Sequence, residues 1–75
     1  MPDLTLDLRG LKCPLPVLKA RKAMAKLAAG ERITLECTDP MTAIDIPHFA
    51  RENGHTLEMQ EQRDDLYVYT IAKAV

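Results

Sequence analysis

Of the reactive side chains in this 75-residue sequence, Cys13 is the one best placed to do chemistry. It lies in the run Gly10-Leu11-Lys12-Cys13-Pro14-Leu15-Pro16, directly before a basic amphipathic stretch. That position predicts a thiol at the N-cap of a helix, where the positive end of the helix dipole favours the thiolate. Lys12 and Arg9 should act in the same direction, so we expect the thiol pKa to be lowered. The pattern predicts a nucleophilic sulfur, with an inert structural cysteine as the alternative.

Two prolines distort the first turn of that helix. Pro14 suits the first helical position, but Pro16 forces Leu15 to precede a proline within the helix, a conformation that steric clash disfavours. Neither proline has a backbone N–H, so Leu15 should be the main donor near the sulfur. A local rule broken beside a reactive atom points to function. We therefore take Gly10, Pro14 and Pro16 as supporting residues around Cys13.

Hydrophobic periodicity predicts the elements that position this cysteine. Alternating apolar residues indicate strands, and an apolar stripe at helical spacing indicates helices. Asp39 is predicted to cap the second helix, with Pro40 as its first residue. The predicted elements are a strand over residues 4–9, a helix over 14–29, a strand over 32–38, a helix over 39–53, and two strands over 56–62 and 66–73 joined by a turn.

Two residues within these elements carry specific expectations. Pro47 lies inside the second helix and should kink or split it, because its ring clashes with the carbonyl of Ala43. Cys37 shares a strand face with Ile33 and Leu35, so we expect it to pack in the core and to take no part in chemistry.

The order of elements predicts one domain over residues 1–75, an α/β (α+β) two-layer sandwich with the order βαβαββ. Its first two strands should be parallel, since a helix connects them. If the last strand fills the gap beside the second, the four-stranded mixed sheet has the order 1-2-4-3. Both helices then lie on one face, and the other face carries Thr5, Asp7, Thr34 and Glu36.

Basic residues are concentrated around the first helix, although the formal net charge is only −1. No acidic residue occurs between Asp7 and Glu31, a stretch that includes Lys12, Lys19, Lys22 and Lys26. These lysines are either a docking surface for an acidic partner or an ordinary solvated helix face.

The sequence shows no apolar run of membrane-spanning length and no secretory leader, which predicts a cytoplasmic protein without a membrane partner. A reducing compartment and the absence of a Cys-x-x-Cys motif argue against a disulfide between the two cysteines. Zinc is disfavoured as well, because Cys13, Cys37, His48 and His55 do not form the close ligand pairs of zinc sites. We expect no metal and no cofactor.

A lone activated thiol without a visible general base is better suited to carrying a group than to completing a reaction. Such a cysteine can accept sulfur as a persulfide, Cys–S–SH, from a donor enzyme. The helix dipole that activates the thiol would also stabilise the terminal sulfur as an anion.

Several motifs resemble those of the TusA (SirA-like) sulfur carriers, and the likeness covers nearly the whole chain. They are Leu-Asp-Leu-Arg-Gly-Leu-Lys-Cys-Pro-Leu-Pro-Val from Leu6 to Val17, Asp39-Pro40, and Asp45-Ile46-Pro47 followed by Phe49. The Cys-Pro-x-Pro element after Gly-Leu is the most specific of them.

This resemblance implies a two-layer sandwich in which Cys13 bears the persulfide. It also implies a cysteine desulfurase or rhodanese-type sulfur donor and a downstream acceptor protein. The outlets known for the family are tRNA 2-thiouridine synthesis, molybdenum cofactor assembly and sulfur oxidation, and the sequence does not choose among them. Asp45 is placed beside the partner-facing surface, although a helix-shaping role is equally plausible. We expect a monomer.

Two other functions remain open at the level of sequence. The basic helix suggests a nucleic-acid-binding or regulatory module, but the net charge of −1 and only three aromatic residues argue against direct nucleic-acid binding. A thiol redox protein would need a resolving cysteine, which Cys37 cannot easily supply from the core.

Overall fold

Four strands form one mixed sheet in a computed structural model that describes residues 4–74. The sheet order is β1-β2-β4-β3, with β1 and β2 parallel and the other pairs antiparallel. The strand order and the strand directions confirm the predicted βαβαββ fold. The elements are β1 (Leu4–Leu8), α1 (Leu15–Met24), β2 (Arg32–Cys37), α2 (Thr42–Glu52), β3 (Thr56–Arg63) and β4 (Leu66–Ala72).

The core lies between the two helices and one face of the sheet. Alternate residues of the strands point to it, because successive side chains of a strand lie on opposite faces. Its one buried polar residue among those described is Thr42, whose hydroxyl lies 2.8 Å from the hydroxyl of Tyr69. The buried hydrophobic residues are Leu8, Ile33, Leu35, Cys37, Tyr69 and Ile71 from the sheet and Ala20, Met24, Ile46, Phe49 and Ala50 from the helices.

Helix α1 is shorter than its sequence pattern predicts. The helix was expected to continue to residue 29, but it ends at Met24. The Lys73 ammonium donates to the carbonyl oxygens of Met24 and Leu27, at 2.8 and 2.6 Å. Tight turns follow the helix, since Lys26 and Leu27 donate their backbone N–H groups three residues back. A residue from the far end of the chain therefore satisfies carbonyls at the end of this helix.

Helix α2 begins later than predicted, with Met41 rather than Asp39 at the N-cap. Asp39 still organises the turn: its Oδ1 accepts the Met41 N–H at 3.1 Å, and its carbonyl accepts the Thr42 N–H at 3.0 Å. The helix then runs without interruption through Pro47. Of the predicted kink or split at this proline, the split does not occur, and the predicted end near Asn53 is confirmed.

Candidate functional site

The loop that carries Cys13 meets the loop after β2 because strands β1 and β2 are parallel. Their carboxyl ends lie together, with Leu8 opposite Cys37 in the register. Gly10 adopts a positive φ of 83°, a conformation that favours glycine, and its N–H donates to the Thr38 hydroxyl at 2.8 Å. The chain thus turns toward helix α1 while remaining fastened to the neighbouring loop.

Cys13 itself is held through its backbone. Its N–H donates to Asp39 Oδ2 at 2.6 Å. Since Asp39 Oδ1 already accepts from Met41, one carboxylate fastens the cysteine loop to the start of α2. The two N–H donors lower the pKa of Asp39, with the bond from Cys13 as the largest cause.

The predicted N-cap position of Cys13 is wrong by one residue. Pro14 occupies the N-cap, and α1 starts at Leu15. The Leu15 N–H donates to the Lys12 carbonyl oxygen at 2.8 Å. The expectation that this amide would donate to the sulfur is therefore wrong. Pro16 is buried, whereas Cys13 and Pro14 are exposed. The prolines therefore leave the sulfur at the surface, just before the helix.

Asp45 is the hydrogen-bonding partner of the thiol. The sulfur of Cys13 donates to Asp45 Oδ2 across 2.8 Å. This bond raises the pKa of Cys13, and desolvation together with the charges of Asp45 and Asp39 adds to the effect. The expected lowering of the thiol pKa is therefore wrong, because a carboxylate in contact outweighs a helix end that supplies the sulfur with no hydrogen bond in the described structure.

Arg9 does not assist the sulfur either. Its guanidinium binds the Asp7 carboxylate through two hydrogen bonds, of 2.9 and 3.0 Å. These bonds hold the pKa of Asp7 at about 2. The pair is exposed, so the positive charge of Arg9 is offset locally by Asp7 rather than directed toward Cys13.

An open groove of about 330 Å³ lies beside the thiol, between α1 and α2. Its walls include Arg21 from α1 and His48, Phe49 and Glu52 from α2, together with Cys13 and Asp45. The Arg21 guanidinium lies over the Phe49 ring, 5.8 Å from its centroid.

Sequence reasoning did not assign Arg21, His48, Phe49 or Glu52 to this groove. For the three residues of α2 helical spacing was the available signal, because residues three, four and seven positions after Asp45 lie on the same face of that helix. The groove thus combines a thiol, two carboxylates, a guanidinium and an imidazole.

The predicted docking lysines lie elsewhere. Lys19, Lys22 and Lys26 border a separate cavity of about 180 Å³ beside Leu6 of β1. Lys12 borders a smaller one, of about 140 Å³, with Thr38 and Asp39. The three lysines of α1 share one stripe as predicted, but that stripe does not border the sulfur groove.

Cys37 lies in the core, as predicted, and is 0% exposed. Burial raises its thiol pKa to about 11. Between residues 4 and 74, no three His, Cys, Asp or Glu side chains come together in a way that could hold a metal ion. In the same span, neither helix has the length and apolar character needed to cross a membrane.

Comparison with known proteins identifies several similar chains. A family model described as sulfurtransferase TusA matches residues 4–73. Proteins of Neisseria meningitidis serogroups A and B, each named as a candidate sulfur carrier, are 39% identical over 67 residues, which are 89% of this chain and 90% of theirs. A SirA-like protein from Desulfitobacterium hafniense has a solved structure that matches with a TM-score of 0.83 and 29% identity. That match covers 96% of this chain and 99% of the solved one.

Proposed function

This chain belongs to the TusA family of sulfur carriers, and on that premise we propose that Cys13 carries sulfur as a persulfide. A cysteine desulfurase or a rhodanese-type sulfurtransferase supplies the sulfur, and an acceptor protein receives it. The observation that carries the proposal is an exposed thiol on an open groove, in a chain whose other cysteine is 0% exposed.

Sulfur transfer by this route is an exchange between two sulfur atoms. The Cys13 sulfur attacks the terminal sulfur of the donor's persulfide, so a new S–S bond forms while the donor's S–S bond breaks. The electron pair of the broken bond stays on the donor sulfur, which takes up the proton that Cys13 loses. A thiol and a persulfide yield a persulfide and a thiol, so no external oxidant or reductant is needed.

The first turns of the two helices that border the groove suit contact with another protein. Four large apolar side chains on the first turns of the helices are between 45% and 65% exposed, namely Leu15, Leu18, Met41 and Ile44. Exposed apolar residues that flank a reactive group are a common feature of protein-binding surfaces. We therefore propose that the donor and the acceptor bind this surface in turn. We also propose that the protein acts in the cytoplasm as a monomer.

Sulfur loading of cysteine variants tests the proposal. The protein is incubated with a cysteine desulfurase and cysteine, and its intact mass is then measured. The wild type and Cys37→Ala should gain the mass of one sulfur atom, and a reductant should remove it. Cys13→Ser should gain none while keeping its circular dichroism spectrum. Loading of Cys13→Ser, or loss of loading in folded Cys37→Ala, would show that a residue other than Cys13 carries the sulfur and would contradict the proposal.

A further inference from the structure

Two oppositely charged side chains border the groove in which Cys13 lies. Asp45, in the first turn of α2, accepts the thiol hydrogen bond at 2.8 Å. Arg21, on α1, lies on the same groove and over the Phe49 ring. The sulfur therefore has a carboxylate as its direct neighbour and a guanidinium across an open space.

The Asp45 contact favours an uncharged sulfur. A carboxylate accepts hydrogen bonds but donates none, so only the protonated thiol can form this bond. Deprotonation removes the bond and places two negative charges side by side. The empty carrier is consequently held as a thiol.

Loading changes both the reach and the charge of the sulfur. The terminal sulfur of a persulfide lies about 2.05 Å beyond Sγ. A persulfide is more acidic than the corresponding thiol, so at neutral pH its terminal sulfur is mainly an anion. This anion has no proton to donate to Asp45, and the carboxylate repels it. The loaded sulfur is thus repelled by Asp45 and favoured on the side of the groove that Arg21 borders.

Arg21 is the guanidinium that borders this groove. Within the described part of the chain no carboxylate lies at ion-pair distance from it, unlike Arg9, which is paired with Asp7. Its contact with Phe49 keeps the guanidinium at the groove wall, and the planar group retains N–H donors for an anion.

We propose that Asp45 and Arg21 form a charge switch that sets how readily Cys13 gives up its sulfur. Asp45 binds the thiol of the empty carrier, and Arg21 binds the terminal sulfur anion of the loaded carrier. This inference rests on the proposed function and adds the positioning residues of the same site.

The two residues act in opposite directions on one exchange equilibrium. The reaction is Cys13–SH plus a donor persulfide anion giving the Cys13 persulfide anion plus a donor thiol, so atoms, charge and electrons balance. Asp45 stabilises the left side and destabilises the right, whereas Arg21 stabilises the right. The ratio of loaded to empty carrier therefore depends on the balance between these two residues.

An exchange equilibrium with a small thiol measures this effect directly. The 75-residue protein is equilibrated with glutathione persulfide and glutathione, and the ratio of loaded to empty carrier is read from the intact mass. Asp45→Asn should raise that ratio roughly three- to tenfold, the size expected for a charge-assisted hydrogen bond at an exposed site. Arg21→Gln should lower it. Glu52→Gln is the matched control. It removes a carboxylate that lines the same groove but makes no hydrogen bond with the sulfur.

The pH dependence of alkylation gives a second, independent measurement. Asp45→Asn should shift the pH midpoint of Cys13 alkylation by iodoacetamide downward, because the partner that favours the protonated thiol is weakened. A merely structural role for Asp45 would change the melting temperature and leave this midpoint in place.

The outcomes separate this inference from the proposed function. If Asp45→Asn leaves the loaded fraction unchanged, or changes it no more than Glu52→Gln does, the switch is refuted although Cys13 still carries sulfur. Should Asp45→Asn fail to fold, a loaded fraction in Arg21→Gln equal to that of the wild type refutes the switch by itself. Failure of the wild type to load on Cys13 refutes the proposed function instead.

Discussion

The two thiols of this protein are both disfavoured as thiolates, for different physical reasons. Cys13 is exposed, and its pKa is raised chiefly by the hydrogen bond to Asp45. Cys37 is 0% exposed, and desolvation raises its pKa to about 11. The Cys13 thiol is restrained chiefly by one neighbouring carboxylate, and the Cys37 thiol by its burial in the core.

This difference determines which restraint can be relieved. A substitution of Asp45, or a docked partner that displaces its carboxylate, relieves the restraint on Cys13 without any need to open the core. Cys37 reacts only if its strand and the helices over it open, which requires a large part of the unfolding free energy. A raised thiol pKa therefore does not by itself distinguish an inert cysteine from a functional one, because the origin of the shift decides what can reverse it.

Alkylation under native and denaturing conditions should show the largest contrast between the two thiols. In the folded protein, iodoacetamide should modify Cys13 at least ~10³-fold faster than Cys37, because the core opens only rarely. In denaturant the two rates should become similar. Peptide mass mapping assigns each modification. Comparable alkylation rates in the native state would mean that Cys37 is accessible, and would contradict the claim that the core protects it.

Alkaline pH should expose the restraint on Cys37 as a loss of stability. Its folded pKa lies above the value in the unfolded chain, so the stabilisation is complete below the unfolded pKa and is lost as pH rises through about 11. With an ordinary cysteine pKa of 9.0 in the unfolded chain, the free energy of unfolding falls by about 2 kcal/mol by pH 11.

Urea unfolding of the wild type and Cys37→Ala from pH 7 to pH 11 measures this loss. The variant should be less stable at pH 7 by about 1–2 kcal/mol, because the substitution leaves a small cavity. It should then lose less stability than the wild type as the pH rises, since it lacks the titrating thiol. Tyr69, whose pKa is also raised by burial, is present in both proteins and so contributes equally to both profiles. Parallel pH profiles would show that Cys37 is not restrained by desolvation.

The lysine stripe of α1 should have the smallest effect, because it borders a cavity other than the sulfur groove. Reversing Lys19 and Lys22 to Glu should slow sulfur transfer about two- to fivefold at low salt, mainly through association. The variant should depend less on salt and melt near the wild-type temperature. Arg63→Glu serves as the control, because it reverses an exposed charge on the β3–β4 hairpin.

Stopped-flow or quenched transfer assays from a loaded desulfurase would compare these variants. An unchanged rate at low salt in the double variant would make the stripe an ordinary solvated surface. Partner docking would then involve only the exposed apolar residues and the groove around Cys13. The functional difference between Cys13 and Cys37 would then depend on their immediate surroundings alone.

Local sequence patterns were sufficient for most of the fold. The alternation of Leu4, Leu6 and Leu8 predicts a half-buried strand, and the same alternation places Cys37 in the core, because a strand's side chains repeat every two residues. The parallel first pair followed from the helix that connects its strands, and the order 1-2-4-3 followed from placing the last strand beside the second. Helix ends were less predictable, since α1 ends where Lys73, 49 residues after Met24, reaches its carbonyls.

The sequence alone also predicts Cys13 as the reactive residue, because its Cys-Pro-Leu-Pro setting is local. Only the tertiary structure decided its electrostatic environment. Asp45 lies 32 residues away and contacts the sulfur because parallel pairing of β1 and β2 brings two loops together and the phase of α2 turns that carboxylate toward the thiol. Helix dipoles and neighbouring charges can be inferred from sequence, but a contact of 2.8 Å outweighs them and arises only from the packing of distant segments.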